Sequence, residues 1–487
     1  MTDEKGFDDE TKSRINPFDW NSHSTGFGEI MANGGFDVVI GNPPYVRQEM
    51  LGEFKGYFQG HYETYHGVAD LYTYFIEKAV SLLKKGGLFS YIVANKWMRA
   101  NYGEPLRRWM KTQRIEEIID FGDLPVFETA TTYPCIVRIR KEPRTIPPLA
   151  KGGKGGFSFP VTKVGALNFE NLGDYLKDNS FCVVRASLDD KGWALVDEKS
   201  QMLLNKLQNA GIPLDDYVKG KIYRGVTTGL NEAFVIDDET KEQIILEDSK
   251  SMEILKPFLL GKDIKRYEPP KSKRYLIFTR RGTDIKKYPA IEKYLLAFKD
   301  RLMPKPKDYE GKNWKGRKPG LYKWYEIQDT TDYYLEFEKQ KILLPDISLR
   351  GNFTFDREGF YCVNTAYIIG NADKYLLGLL NSQLINFIYK RMASTYRGGY
   401  LRFIQQYLQQ LPIRTIDFNN PSEKVTYDRL VSLVDRMLEM HKKKTALPPS
   451  AERERIEREI TLTDEKIDEI VYGLYGITEA ERRIIER

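Results

Sequence analysis

The stretch that decides the fold is FDVVIGNPPY, residues 36–45. Its β-branched run VVI at 38–40 predicts a short buried strand that ends at Gly41. The tetrapeptide NPPY at 42–45 follows directly, and taken alone it is also typical of a simple turn. Ligands of open α/β sheets bind just beyond the carboxyl ends of strands, so the position of the tetrapeptide favours a functional site.

Further elements of an α/β domain are indicated downstream of this loop. Asp70 is expected to be the N-cap of a helix whose apolar residues recur at helical spacing up to Gly86. The other predicted elements are strands at 88–95, 115–122 and 135–140 and a helix at 104–113. Strands that alternate with helices predict a mostly parallel α/β sheet, which we assign to residues 1–145.

The chemistry of the tetrapeptide suits methylation of an exocyclic amine. Such an amine is a poor nucleophile because its lone pair is delocalised into the base. The Asn42 side-chain oxygen and the Pro43 carbonyl oxygen are two acceptors for its N–H groups, and Pro43 and Pro44 hold the loop rigid. Tyr45 offers a face on which a base can stack, and a base in a duplex must first be flipped out. Asn42, Pro43, Pro44 and Tyr45 are therefore the predicted catalytic residues.

The remainder of the chain differs in composition. A stretch rich in Pro, Gly and Lys begins near Lys141 and predicts a linker over 146–180. Residues 181–415 contain many short strand-like runs and predict a mixed α/β domain. Two helical stripes separated by a Pro-Pro pair predict a helical hairpin within 416–487.

The composition of the chain limits the classes of protein to which it can belong. The chain has 487 residues, 75 Lys and Arg against 69 Asp and Glu, and a net charge of +6, which slightly favours an acidic partner. Three separated cysteines and four histidines without ligand spacing argue against a disulfide framework and against a metal site. The first residues are polar, and no run of the chain is apolar enough for a membrane helix. A cytoplasmic location is the expectation.

The first part of the chain resembles a known family. FDVVIGNPPYVRQE at 36–49 resembles the catalytic strand and loop of N6-adenine DNA methyltransferases, and residues 70–98 resemble the helix and strand that follow the loop in type IIG restriction–modification enzymes. Residues 118–140 resemble the segment that carries the family's base-stacking aromatic, which by position is Phe127. A core aromatic is the alternative interpretation of Phe127.

The second part is similar to the TaqI-like target recognition domain of the same enzymes. The similar segments are 223–237, 255–267, 341–348, 393–413 and 467–478. The resemblance implies a partial Rossmann-like methyltransferase sheet, then the recognition domain and a helical end. It further implies adenine-specific transfer of a methyl group from S-adenosylmethionine to double-stranded DNA in a restriction–modification or phage-defence system.

One departure from the family concerns the cofactor. The family holds S-adenosylmethionine with a Gly-rich turn and acidic residues upstream of the catalytic loop, yet only 35 residues precede Phe36 here. Three strands and their helices do not fit in that length. Pro44 alone is expected to border the methyl donor. We therefore expect either a missing N-terminal segment or an upstream polypeptide to complete the domain, and an upstream polypeptide could instead carry a nuclease. The alternative is a non-catalytic DNA-binding specificity protein.

DNA contacts are expected from two kinds of segment. Residues 299–324 contain nine basic against three acidic residues with aromatics between them, which suits phosphate contact, although such runs are usually solvated loops. Glycine-rich turns are the second kind, because an arginine beside a groove can bind guanine. The predicted DNA-binding residues are Arg224, Thr227, Thr228, Lys312, Lys315, Arg317, Lys318 and Arg397.

Overall fold

A computed structural model of the protein describes residues 19–24, 26–127, 132–142, 158–311, 313–393, 395–396 and 398–486. The chain divides into two compact units. The first unit comprises Met1–Leu204 with Ser394–Gly399, and the second comprises Asn205–Ala393 with Tyr400–Arg487.

The strands and helices are numbered in chain order. The strands are β1 Phe36–Gly41, β2 Leu83–Ala94, β3 Arg114–Asp120, β4 Pro134–Arg140, β5 Ser158–Lys163, β6 Ser180–Val184, β7 Ile212–Pro213, β8 Ile222–Arg224, β9 Val235–Asp237, β10 Leu255–Leu259, β11 Arg274–Ile277, β12 Lys341–Pro345, β13 Ile347–Ser348, β14 Thr354–Asp356, β15 Tyr361–Cys362, β16 Ala366–Ile369, β17 Thr395–Tyr396, β18 Tyr400–Arg402 and β19 Pro412–Ile413. The helices are α1 Gly28–Ala32, α2 Lys55–His61, α3 Tyr72–Ser81, α4 Glu104–Met110, α5 Leu172–Asn179, α6 Glu198–Asn209, α7 Leu214–Tyr217, α8 Asn231–Phe234, α9 Asp238–Glu247, α10 Pro289–Leu296, α11 Lys299–Leu302, α12 Leu335–Glu338, α13 Lys374–Asn381, α14 Gln383–Met392, α15 Gln405–Leu408, α16 Pro421–Ala446, α17 Ala451–Leu474 and α18 Glu479–Ile485.

The first unit is built on one sheet with the strand order β1-β2-β4-β3-β5-β6. Strands β1, β2, β3 and β5 share one direction, and β4 and β6 run against them. The carboxyl ends of four strands therefore meet at one edge, which is where the NPPY loop leaves β1. The α/β fold class with a partial Rossmann-like sheet is confirmed.

The expectation of a mostly parallel sheet holds for the direction of four of the six strands, but β4 and β6 make the sheet mixed. Of the five strand pairings described in this sheet, two are parallel and three are antiparallel. Strand β4 lies between β2 and β3, and the structure describes no helix between β3 and β4. A parallel connection needs a crossover of a dozen or more residues, usually through a helix, so successive strands without one tend to pair antiparallel.

The linker predicted over 146–180 also differs from the structure. Residues 158–180 contain β5 and α5, and β5 pairs with both β3 and β6. Phe159 and Val161 are buried at alternate positions of β5, which is the pattern of a strand that faces a core. Asn171 caps α5 by accepting hydrogen bonds from the backbone N–H groups of Gly173 and Asp174. These residues extend the first sheet.

The second unit combines small sheets with helices. Its two four-stranded sheets have the orders β15-β10-β11-β9 and β14-β12-β16-β8, and β7 pairs with β19. A buried core that includes Phe234, Phe258 and Ile368 lies between these elements. A mixed α/β domain in this part of the chain is confirmed.

The predicted helical hairpin is formed by α16 and α17. The helices run antiparallel, because Arg436 pairs with Glu459 and Lys444 pairs with Glu457. Thr478 and Glu481 form the capping box at the start of α18. Among the described residues, no helix combines the length and apolar character that crossing a bilayer requires.

Candidate functional site

The NPPY loop presents its asparagine to solvent. Asn42 is exposed at the carboxyl end of β1, and its side chain makes no hydrogen bond to another described residue. Pro43 is buried and Pro44 is exposed. A rigid loop that is anchored through a buried proline therefore leaves the Asn42 amide available to a ligand.

Two contacts, one of the hydroxyl and one of the ring, hold the side chain of Tyr45 in place. Its hydroxyl donates a hydrogen bond to the carbonyl oxygen of Ile92 at 3.3 Å, and its ring lies 6.4 Å from the ring of Tyr72. Burial raises the pKa of Tyr45 to about 12, and the nearby Cys135 adds to the rise. The phenol is therefore neutral at physiological pH, which suits a stacking surface rather than a general base.

Phe127 lies beside Tyr45. The two ring centroids are 6.4 Å apart and the ring planes are inclined by 68°. The structure thus brings the predicted stacking residue to the predicted catalytic loop, although 82 positions separate them in the chain. At this inclination a flat base can stack on the face of one ring and meet the edge of the other, whereas a sandwich between both faces would require the rings to be nearly parallel.

The segment after the tetrapeptide is tied to the start of α3. The backbone N–H of Gln48 donates to Oδ1 of Asp70 at 3.3 Å, and that of Leu71 donates to the carbonyl oxygen of Val46 at 3.0 Å. Burial is the largest cause of the raised pKa of Asp70. The prediction that Asp70 caps the helix is wrong, because Leu71 occupies that position and no side chain caps it.

Two polar residues at the same edge of the sheet were not identified from the sequence. Asn95 follows β2 and donates from Nδ2 to Oδ1 of Asp120 at 2.8 Å, and Asp120 ends β3. The same Asp120 oxygen accepts the N–H of Gly122 at 3.0 Å, where the backbone is left-handed with φ +57°. This arrangement fixes the start of the segment that leads to Phe127. A polar residue at the end of an apolar strand or directly after it is the signal that identifies both.

Arg317 is not available to DNA. It is 4% exposed, and its guanidinium donates to five backbone carbonyl oxygens. It also lies over the rings of Tyr322 and Phe234. The prediction that Arg317 contacts a phosphate is therefore wrong, since every donor of the guanidinium is used inside the second unit.

Thr228 is likewise a structural residue. It is 1% exposed, its hydroxyl donates to Oδ1 of Asn231 at 2.7 Å, and it accepts the N–H of Leu230. The prediction that Thr228 contacts DNA is wrong for the same reason as for Arg317. Thr227 is half-buried next to it, and its carbonyl oxygen accepts the N–H of Asp329.

Other predicted DNA contacts remain accessible. Arg224 is exposed, and its Nε donates to the carbonyl oxygen of Asn364 at 2.6 Å, which uses one of the five N–H donors of its guanidinium. Lys315 and Lys318 are exposed. Lys312 and Arg397 lie outside the described residues. Among the residues that the structure does describe, no group of three His, Cys, Asp or Glu side chains could hold a metal ion.

Two protein-family models match separate parts of the chain. Residues 2–127 match the model of the Eco57I restriction-modification methylase, and residues 256–413 match the model of the TaqI-like C-terminal specificity domain. The chain therefore contains an Eco57I-like restriction–modification methylase domain and a TaqI-like C-terminal specificity domain. This confirms the resemblance to a restriction–modification methylase in the first part of the chain and to a TaqI-like recognition domain in the second.

Its relatives are type II methyltransferases. The chain is 28% identical to the Type II methyltransferase M.PaeR7I of Pseudomonas aeruginosa, over 78% of this chain and 65% of that protein. It is 22% identical to the Type II restriction enzyme and methyltransferase RM.Eco57I of Escherichia coli, over 96% of this chain and 48% of that protein. The chain thus spans less than two thirds of the length of either relative.

A solved structure shares the fold. The Type IIL restriction-modification enzyme MmeI, solved in complex with DNA, matches with a TM-score of 0.58 and 15% sequence identity. The match covers 91% of this chain and 54% of that one. At this identity the likeness establishes the fold only, and the function has to be inferred from the residues of the site.

Proposed function

We propose that this chain carries the catalytic loop and the recognition domain of a site-specific, adenine-specific DNA methyltransferase of a restriction–modification system. The reaction is transfer of a methyl group from S-adenosylmethionine to N6 of an adenine flipped out of duplex DNA. The observation that carries the proposal is the exposed Asn42 amide at the carboxyl end of β1, with Tyr45 and Phe127 beside it.

The loop supplies acceptors for the amino group. Oδ1 of Asn42 and the carbonyl oxygen of Pro43 accept hydrogen bonds from the two N–H groups of the adenine amine, and this draws the nitrogen towards tetrahedral geometry. The Tyr45 side chain is neutral and fixed by its hydrogen bond, so the face of its ring serves as the surface on which the base stacks. These groups are held in place before substrate arrives, and preorganised polar groups of this kind commonly lower a barrier by several kcal/mol.

The groove beside β1 lacks the groups that would hold S-adenosylmethionine. The apolar groove beside β1 has a volume of about 560 Å³, and among the described residues that line it only Lys78 is charged. This lining contains no Asp or Glu whose carboxylate could hold the ribose hydroxyls. We therefore expect the chain alone to bind S-adenosylmethionine weakly or not at all.

The free edge of β1 is where the complementary segment is proposed to add. Ile40 is 74% exposed and Val38 is 53% exposed, although strands that run parallel to their neighbours are normally covered on both faces. We infer that a further polypeptide segment, outside the described residues, pairs with β1, fills the groove and brings the cofactor site. In the assembled enzyme, Ile40→Lys should abolish methylation. The matched control Val425→Lys, at a residue 66% exposed on α16, should not.

DNA binding is proposed to reside in the second unit. Lys315 and Lys318 are exposed in the basic loop, and Trp314 lies between the lysines of this loop. Changing Lys312, Lys315 and Lys318 together to Gln should weaken duplex binding and reduce the slope of log affinity against log salt by as much as about 2–3. An unchanged slope would mean that this loop does not contact phosphates.

The function is tested by nucleoside analysis. The chain, with and without the polypeptide encoded next to it, is expressed in a host that lacks its own DNA methyltransferases, and the DNA is digested and measured by mass spectrometry. N6-methyldeoxyadenosine that disappears in Asn42→Ala supports the proposal. Methylated cytosine in its place would contradict the adenine assignment.

The alternative function is a non-catalytic DNA-binding specificity protein. It would show sequence-specific duplex binding by the second unit, no methylated base with any neighbouring polypeptide, and no effect of Asn42→Ala on any activity. The open Asn42 amide argues against it, because a turn that serves structure alone gains nothing from an exposed and unbonded asparagine.

A further inference from the structure

A short segment of the specificity domain contacts the loop that leads to Phe127. Ser394–Gly399 belongs to the first unit, although the residues on either side of it in the chain belong to the second. Gly398 and Gly399 lie within the match to the TaqI-like specificity domain, and their partner Asp123 lies within the match to the methylase. The contact therefore joins residues of the two family domains inside the first unit.

One oxygen of Asp123 makes this contact. Its Oδ2 accepts the backbone N–H of Gly398 at 2.8 Å and that of Gly399 at 3.0 Å. Both glycines have a left-handed backbone, with φ +78° and +77°, and successive N–H groups in turns of this kind can converge on one anion. Hydrogen bonds to a carboxylate are stronger than those between neutral groups. The turn is therefore built to hold the Asp123 carboxylate, and a side chain at either glycine would strain it.

Asp123 lies in the middle of the segment that carries Phe127. The segment starts at Asp120, which is fixed by Asn95 and by the N–H of Gly122. The seven residues that follow Asp120 are FGDLPVF, so Asp123 is the only one of them with a polar side chain. Phe127 is four residues further on, a span of at most about 14 Å of chain. Asp123 thus holds the segment between its fixed start and the aromatic ring.

We propose that Asp123 is a positioning residue for the methyl transfer, which sets the place of Phe127 through its hydrogen bonds to Gly398 and Gly399. The inference rests on the proposed function, in which Phe127 meets the flipped adenine beside Tyr45. A turn of the specificity domain then controls how often the Phe127 ring occupies its stacking position. Extrusion of the base is thereby coupled to the domain that reads the DNA, and double variants measure such a coupling.

The contact itself is measured by NMR in the chain alone. Glycine is labelled with ¹⁵N, and the amide resonance of Gly399 is identified as the one missing in Gly399→Ala. Exchange of this amide with solvent should be about tenfold faster in Asp123→Ala, because its acceptor is lost. Asp123→Asn keeps an acceptor oxygen and should retain most of the protection. Asp178→Ala, at an exposed aspartate of α5 in the same unit, is the matched control and should exchange as the parent does.

The consequence is measured in the assembled enzyme with a fluorescent adenine analogue at the target position. Asp123→Ala should lower the flipped population about tenfold, as expected when a hydrogen-bonded charged group is lost. Methyl transfer at saturating DNA should slow by the same factor, because only the flipped base reacts, and DNA affinity should not change. Asp123→Asn should restore both the population and the rate. A merely structural aspartate would not produce this separation of rate from affinity.

Gly399→Ala tests the same contact from its other side. A Cβ at Gly399 would meet no atom within 4 Å, so the substitution disturbs only the left-handed backbone. It should reproduce the loss seen in Asp123→Ala. Gly86→Ala is the matched control, because Gly86 is also exposed, has φ +80° and has no atom within 4 Å of an added Cβ. This control should leave the flipped population unchanged.

A double variant shows whether Asp123 acts through Phe127. The loop remains folded in Asp123→Ala, since Leu124 and Val126 pack against buried apolar residues of the first unit. If Asp123 only positions Phe127, then Asp123→Ala should add little to the loss in Phe127→Ala, and the two effects should not be additive.

Three results would overturn the inference. They are equal exchange of the Gly399 amide in the parent and in Asp123→Ala, an unchanged flipped population in Asp123→Ala, and additive losses in the double variant. A parent enzyme that flips adenine but transfers no methyl group would contradict the proposed function alone, because the flipped population still reports the effect of Asp123.

Discussion

Replacement of Arg317 by alanine should destabilise the second unit rather than weaken DNA binding directly. The guanidinium is buried beneath the basic loop, and its hydrogen bonds reach segments that are distant in the chain. The acceptors are the carbonyl oxygens of Leu302 at 2.8 Å, Thr228 at 3.0 Å, Glu326 at 2.7 Å, Lys323 at 3.2 Å and Trp324 at 2.9 Å.

The magnitude follows from these five bonds. A hydrogen bond with a charged partner contributes about 1.5–3 kcal/mol and a neutral one about 1 kcal/mol. Burial lowers the pKa of Arg317 to about 10, so part of the gain is offset by the cost of burying its charge. At about 1 kcal/mol for each bond, Arg317→Ala should lower the local free energy of unfolding by about 5 kcal/mol. Arg317→Lys, with three donors, should lose about 2 kcal/mol.

Hydrogen exchange measures this effect where it occurs. The amides of Gln328 and Asp329 donate to the carbonyl oxygens of Thr228 and Thr227, so their protection reports opening of this region. Protection should fall on the order of a thousandfold in Arg317→Ala. The exposed Lys315→Gln is the control and should leave protection unchanged. The structural role would be refuted if the amides of Arg317→Ala kept full protection while its DNA binding lost salt dependence. That result would instead support a phosphate contact by Arg317.

Three further predictions concern the site and the stability of the fold. In the assembled enzyme, Asn42→Ala should slow methyl transfer on the order of a hundredfold with DNA affinity unchanged, and a collapse of DNA affinity with normal methylation would contradict this. Phe127→Ala should reduce the population of flipped adenine, because stacking contributes about 1–3 kcal/mol, and a fluorescent adenine analogue at the target position would report that population; an unchanged signal would leave Phe127 a packing residue. Burial raises the pKa of Asp468 to about 6, so the folded state binds more protons than the unfolded state and stability falls as pH rises from about 4 to about 6. Asp468→Asn should therefore gain up to about 3 kcal/mol over the parent at pH 8 and nothing near pH 4 in urea unfolding, and an equal difference at both pH values would rule out this titration.

Local patterns predicted much of the first unit correctly. The strand at 36–41, the strands near 88–95, 115–122 and 135–140 and the helix near 72–81 all depend on apolar periodicity within a few residues. Pairing is not local, and the antiparallel position of β4 between β2 and β3 was missed. Strand β5 was also missed, because its Pro- and Gly-rich approach at 141–157 outweighed the short alternation at 158–163.

In the candidate site too, features contained in adjacent residues were predicted, and features that depend on strand pairing were not. The tetrapeptide at 42–45 was identified because its chemistry is contained in four consecutive residues. Phe127 was assigned through the family resemblance, and its place 6.4 Å from Tyr45 came from the folded sheet. Asn95 and Asp120 meet only because β2 and β3 end at one edge, so neither was singled out in the chain.

The sequence alone determined the α/β character of the first unit, the NPPY tetrapeptide that we propose to be catalytic, and the helical hairpin, since each is encoded in short-range periodicity or in adjacent residues. The tertiary structure alone decided which basic residues can meet DNA. Arg317 and Lys318 are neighbours in the same basic run, yet one is 4% exposed and the other is exposed. The difference arises from carbonyl oxygens 89 and 15 positions away that converge on one guanidinium. Burial of a charge depends on such non-local acceptors, and no pattern within a loop reveals them.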